Sequence, residues 1–229
     1  MKSLIREHFS RAAATYNRWG LTQQQIAAAF ARQLQALPAP TSILEIGCGT
    51  GFLSHHLGTF NCRLIISDLS PTMVNTVSLP QGLKVALDGE YLPFCQPFDW
   101  IVGSLAFQWF ESPERTLPLL KQQCKTLAFT TLGPNNFHEW KDLCRTHNLP
   151  DHTRPMLSAE KLRTILGADI SIGEAYYSEQ HPNWLSFWQS IHKIGAHTSA
   201  IHKKTPVAKS LLRQGPITCS YHVLTVICR

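Results

Sequence analysis

The sequence predicts an α/β chain: a seven-stranded, mostly parallel sheet with helices on both faces, an N-terminal helical lid and a helical insertion before the last strand. Three observations predict it. Short apolar runs of strand length alternate with stretches long enough for crossover helices, the pattern of a parallel sheet covered on both faces. The first run passes directly into the glycine turn Gly47-Cys48-Gly49-Thr50-Gly51, and acids stand where the next two runs end, at Asp68 and Asp88. With 229 residues, 44% of them hydrophobic, one core accounts for the whole length, so 1–229 reads as a single domain.

The elements follow in chain order. Leu21, Ile26, Phe30, Leu34 and Leu37 recur at helical spacing and Pro38 and Pro40 end the segment, giving a leading amphipathic helix over 21–37 within a lid segment 1–40. Strands are expected at 42–46, 62–67, 83–87, 100–104 and 127–131, forming a ligand-binding core over 41–150. In the remaining segment, 151–229, Ser158 is placed to cap a helix at 159–166, a strand follows at 170–177, residues 183–194 and 206–212 read as helices, and a last strand covers 220–228. The helices between the last two strands are an insertion, and insertions at such an edge commonly carry specificity.

Strand, glycine turn and helix occur around Gly47–Gly51 in the order a nucleotide site requires. Glycines at alternate positions let the backbone turn sharply and lie against a ligand with no side chain between. A dinucleotide fingerprint would need its third glycine at 52, where this chain has Phe52, so the spacing speaks against NAD and fits a nucleoside without a pyrophosphate, such as S-adenosylmethionine (SAM). Asp68, seventeen residues after Gly51, stands where a ribose would present both hydroxyls to one carboxylate. Its other reading is a helix cap, for which Ser70 is better placed, just ahead of Pro71. Asp88 can accept from an adenine amine while the Gly89 amide donates to the ring, although Asp-Gly is also an ordinary turn.

Through Glu45-Ile-Gly-Cys-Gly-Thr-Gly51, Asp68-Leu-Ser-Pro71 and Leu92-Pro-Phe94, residues 41–131 resemble the class I SAM-dependent methyltransferases. Five further segments resemble, more narrowly, the malonyl-[acyl-carrier protein] O-methyltransferase (BioC) family of biotin synthesis. They are Phe9-Ser-Arg-Ala-Ala-Ala-Thr-Tyr16, Ser104-Leu-Ala-Phe-Gln-Trp109, Phe129-Thr-Thr-Leu132, Ile194-Gly-Ala196 and Pro216-Ile-Thr-Cys-Ser-Tyr-His-Val223. The resemblance implies SAM as cofactor, bound by Glu45, Gly47, Gly49, Gly51, Asp68, Leu69, Met73, Asp88, Gly89 and Ser104. It implies methylation of the free carboxyl of malonyl-acyl-carrier protein, whose masked ester can then be elongated toward the pimeloyl precursor of biotin. A carboxylate is already ionised at pH 7, so no general base is expected. Tyr16, Gln108 and Trp109 are expected to position the reactants, Tyr16 by closing the site over SAM and the acyl group; as plain core residues Tyr16 and Trp109 would look the same in sequence.

One departure concerns the substrate. Where the family shows an Arg and a Lys ahead of Ile-Gly-Ala, this chain has Gln189 and His192, with Lys193 one residue later. His192, partly protonated, or Lys193 is expected to reach the malonyl carboxylate, unless both are surface residues.

Charge points to a partner. All fifteen acids lie at or before Glu179, balanced there by fifteen of the twenty-one Lys and Arg residues, so the formal net charge of +6 sits in the last fifty residues. Lys203, Lys204, Lys209 and Arg213 are expected to dock an acidic acyl carrier protein. Between Lys193 and Arg213 there is no Phe, Tyr or Trp, which disfavours RNA as the partner. Another small carboxylic acid, or RNA, stays open as a substrate, and a non-catalytic interaction protein as a third reading. Seven widely spaced cysteines without a CxxC pair predict neither a disulfide framework nor a metal site. Lys2, Arg6 and Glu7 interrupt any N-terminal apolar run, so a cytoplasmic monomer away from membranes is expected.

Overall fold

The computed structural model describes residues 1–151, 153–197 and 209–229, the side chain of Lys209 excepted. The lid segment holds α1 (Lys2–Ala12), α2 (Tyr16–Trp19) and α3 (Leu21–Gln35). The sheet region follows as β1 (Ser42–Ile46), α4 (Ser54–Leu57), β2 (Arg63–Asp68), α5 (Pro71–Thr76), β3 (Leu83–Ala86), β4 (Phe98–Ser104), α6 (Pro113–Gln122) and β5 (Cys124–Leu132). Then come α7 (His138–Thr146), α8 (Ala159–Leu166), β6 (Ser171–His181), α9 (Trp184–Lys193), α10 (Lys209–Leu212) and β7 (Ile217–Cys228).

The strands form one sheet in the order β3-β2-β1-β4-β5-β7-β6, parallel except that β7 runs antiparallel to both neighbours. Every residue of β1 is buried, as a central strand covered on both faces must be. Its side chains alternate. Leu44 and Ile46 pack with Ile101, Phe129 and the α6 and α8 leucines, whereas Ile43 joins Trp100, Val102 and the α3 residues Phe30 and Leu34 on the opposite face. Register aligns the strand ends, with Ile46 opposite Ser67, Asp68 opposite Ala86 and Ser104 opposite Thr130, so the loops that follow open along one rim.

The expected fold class holds, and two caps fall where sequence placed them: Ser70 accepts from the Met73 N–H, and Ser158 from the Lys161 N–H. Both edges of the last hairpin differ. β6 runs on to His181 because it pairs residue for residue with β7 from Ser171 onward, and its exposed Glu174 suits an edge strand. α7 was not foreseen. Only Trp140 and Cys144 bury an apolar side in it, too few to set a periodic pattern, and the helix is held from outside: Glu139 accepts from both the N–H and the hydroxyl of Ser220 on β7. Of the helix expected at 206–212, residues 206–208 lie outside the described residues, and α10 covers the rest. All seven cysteines are free. Among the described residues no helix is long and apolar enough to cross a membrane.

Candidate active site

Gly47 leaves β1 at φ +72°, and a Cβ there would stand 2.3 Å from the Ala106 Cβ, so glycine alone lets the β1 and β4 loops meet. Over Gly49, at φ +56°, a Cβ would find nothing within 4 Å. That space belongs to a groove of about 950 Å³, lined by the turn after β1, Asp68 and Leu69 at the end of β2, Asp88 and Gly89 after β3, and Ser104 to Ala106 at the end of β4. The groove lies at the carboxyl ends of β1 and β4, where the strand order reverses and open α/β sheets bind their ligands.

Three carboxylates line it, Asp68, Glu45 and Asp88. Asp68 accepts from the Gly49 N–H at 2.9 Å and the Ser70 N–H at 2.8 Å, tying the glycine turn to β2; burial nonetheless pushes its pKa up to about 6. Glu45, 1% exposed, accepts from the Ser54 hydroxyl at 2.6 Å through Oε2, while its buried Oε1 has no hydrogen-bond partner. Burial, opposed by Ser54 and reinforced by the Asp68 charge, pushes Glu45 up to about 8. An acceptor shut from water and left unpaired is costly, and a bound cation or donor relieves it. SAM, with its ammonium, sulfonium and ribose hydroxyls, has the groups this pair lacks. Burial and Asp68 also raise Tyr16, which stays a neutral phenol and hydrogen-bond donor.

The lid closes the groove from above. Lys2 of α1 forms ion pairs with Asp88 and with Glu90, the latter at 2.6 Å. Ser10 and Ser70 share a hydroxyl contact at 2.7 Å, and Asn17 accepts from Thr50 in the glycine turn. Burial alone would raise Glu90, but Lys2, the Glu111 and Ser112 N–H groups and Thr116 together hold it below the usual carboxylate range. Ile5, Phe9 and Tyr16 form the groove's lid-side wall.

A second chamber, of about 700 Å³, adjoins the groove and shares Phe9, Tyr16, Gln23, Leu105 and Trp109 with it. Leu105 turns the chain there at φ +51°, unusual for a non-glycine residue, and is held by bonds from its N–H to the Thr130 carbonyl and hydroxyl at 3.0 and 3.1 Å. Gln108 braces the same residue by donating to its carbonyl at 2.6 Å.

Of the residues singled out from sequence, Glu45, Gly47, Gly49, Asp68, Leu69, Asp88, Gly89, Ser104, Tyr16 and Trp109 line the groove, and Gln108 lines the chamber. Gly51 and Met73 do not reach it. Gly51 turns behind the loop against Val77, and Met73, 1% exposed, is core. The Asp88 carboxylate, expected at an adenine amine, already binds Lys2 and accepts from the Glu90 N–H at 3.0 Å. Gln189, His192 and Lys193 are exposed on α9; the chamber side of that helix shows Trp188 and Ile191, followed by Ile194, because the apolar stripe turns inward and carries the polar positions out. Lys193 instead rests its ammonium 3.6 Å from the centre of the Trp19 ring. Lys203 and Lys204, with the Lys209 side chain, lie outside the described residues, and Arg213 is exposed beyond α10. Sequence reading missed Lys2, Gln23, Asn136 and Arg154, which stand in no motif and reach the site only through folding.

Fold and groove together define a class I, SAM-dependent methyltransferase. A family profile described as "Methyltransferase domain" matches residues 18–169, and the magnesium protoporphyrin IX methyltransferase of Synechocystis, solved with bound SAH, shares the fold with a TM-score of 0.60 at 16% identity, over 98% of both chains. Within that class the chain belongs to the malonyl-[acyl-carrier protein] O-methyltransferase family. It is 33% identical to the member from Magnetococcus marinus over 96% of this chain and 90% of that protein, and 33% identical to the member from Herminiimonas arsenicoxydans over 86% and 78%.

Proposed function

We propose that this chain moves the methyl group of SAM to the free carboxylate of a malonyl thioester on acyl carrier protein, giving a methyl ester for pimeloyl synthesis. The observation that carries the reading is the continuity of the nucleoside groove, past Tyr16 and Trp109, with a mostly apolar chamber large enough for a short acyl group. Asp68 holds the ribose hydroxyls, the unpaired Glu45 oxygen takes the amino group of the methionyl end, and the Gly89 amide meets the adenine. Bound SAM supplies an electrophilic methyl on a sulfonium. The protein's part is to exclude water and fix the line of attack: opposite charges cancel as the methyl moves, so a dry site lowers the barrier relative to water, and alignment supplies much of the rest. No side chain has to remove a proton. The basic C-terminal stretch serves the carrier rather than nucleic acid, and the enzyme acts as a monomer.

The test offers labelled SAM with malonyl-carrier protein, malonyl-CoA, longer dicarboxyl thioesters and transfer RNA in parallel. Methyl transfer to malonyl-carrier protein at the highest kcat/KM is expected. Transfer to RNA, or to none of the thioesters, would overturn the reading.

A further inference from the structure

With Gln189, His192 and Lys193 turned outward, the acceptor's carboxylate needs another partner. Among the described residues lining the chamber, Arg154 is the single charged side chain. It is half-buried, follows α7 in the loop before α8, and lies with its guanidinium carbon 5.7 Å from the centre of the Trp109 ring, the wall between groove and chamber. Its Nη2 donates to the Phe110 carbonyl at 2.9 Å and its Nη1 meets the Met1 sulfur at 3.4 Å. Among the described residues no carboxylate lies within ion-pairing distance of it, so a guanidinium with five donors keeps donors unspent beside an apolar space. Two further groups point to a ligand. Gln23 and Asn136, 7% and 4% exposed, line the same chamber, and the side-chain oxygen of each is buried with no hydrogen-bond partner.

We propose that Arg154 receives the carboxylate of the acceptor in this chamber, and that the Gln23 and Asn136 side-chain oxygens accept from amide N–H groups of the arm that carries the acyl thioester. The inference rests on the free-acid reading above. A guanidinium fork matches a carboxylate and has little hold on an ester. One carboxylate oxygen stays on Arg154 while the other forms the new bond to the methyl carbon; the S–CH3 bond breaks, its electron pair remains on sulfur as a neutral thioether, and no proton moves. Loss of the negative charge releases the ester from Arg154, so the same contact selects the substrate and ejects the product.

Three quantities test this in wild type, R154Q and R154K: kcat and KM for malonyl-carrier protein, calorimetric affinity for SAM, and affinity for the methyl-ester product on the carrier. R154Q is expected to raise KM roughly 10- to 100-fold, the range for a lost charged hydrogen bond, while SAM and ester affinities stay within about twofold. R154K, which keeps a cation without the fork, falls between. An unchanged KM in an active R154Q overturns the inference alone, as does a parallel fall in SAM and ester affinity, which would make Arg154 a brace for the Phe110 loop. A wild type that methylates no malonyl thioester removes the function reading and this inference together.

Discussion

Glu45 and Asp68 sit in the groove with carboxyls that are hard to ionise, and the sign of the consequence is fixed. Their folded values, about 8 and about 6, lie above the ordinary 4.5 and 3.8, so the ligand-free fold binds protons that the unfolded chain has lost. The stability they contribute is complete below about pH 4 and drains away as pH rises through 6 and 8. Cationic SAM favours the ionised pair, so its affinity should climb at least roughly tenfold from pH 5.5 to 7.5, with proton release seen as buffer-dependent calorimetric enthalpy. Glu45→Gln should flatten the slope, and a pH-independent affinity in wild type would contradict the account. The two turn glycines separate packing from binding. Gly47→Ala drives a Cβ into Ala106 and should lower stability by about 2 kcal/mol as well as abolish SAM binding. Gly49→Ala meets no neighbour, so it should cost only about 1 kcal/mol of backbone strain while its methyl fills ligand space. Equal melting temperatures for the two variants would refute the distinction.

Among elements, α1 is the one whose role depends on its position. Lys2 fastens it to Asp88, which lines the groove, and to Glu90 two residues on. Lys2→Ala should therefore speed SAM dissociation severalfold in stopped flow while leaving the core's melting nearly unchanged, since the rest of α1 still packs through Ile5 and Ala12. An unaltered dissociation rate would mean that the helix covers the groove without gating it. Legibility followed periodicity here. The strands, the Ser70 and Ser158 caps and the α3 stripe each had a local signal, whereas α7, with two buried side chains and an anchor on β7, had none. Helix α9 is legible in the sequence, but which of its faces looks inward is not: chain position sets Gln189 and His192 against the family's Arg and Lys, while burial of Trp184, Phe187 and Ile191 sets the rotation.

For the whole molecule, the charge division matters at the scale of an encounter. With the surplus of positive charge in the last fifty residues, activity should fall more steeply with salt for malonyl-carrier protein than for malonyl-CoA. Equal salt slopes would remove the C-terminal segment from carrier docking. The sequence by itself determined the sheet, the glycine turn and the acids at the strand ends, because each is a matter of near neighbours: short apolar runs, positive φ, a strand running into a turn. The acceptor chamber was decided by tertiary structure alone. Gln23, Trp109, Asn136, Arg154 and Trp188 come from five separate stretches of chain, and only the packing of lid, β4 loop and insertion against one another gives them a common space.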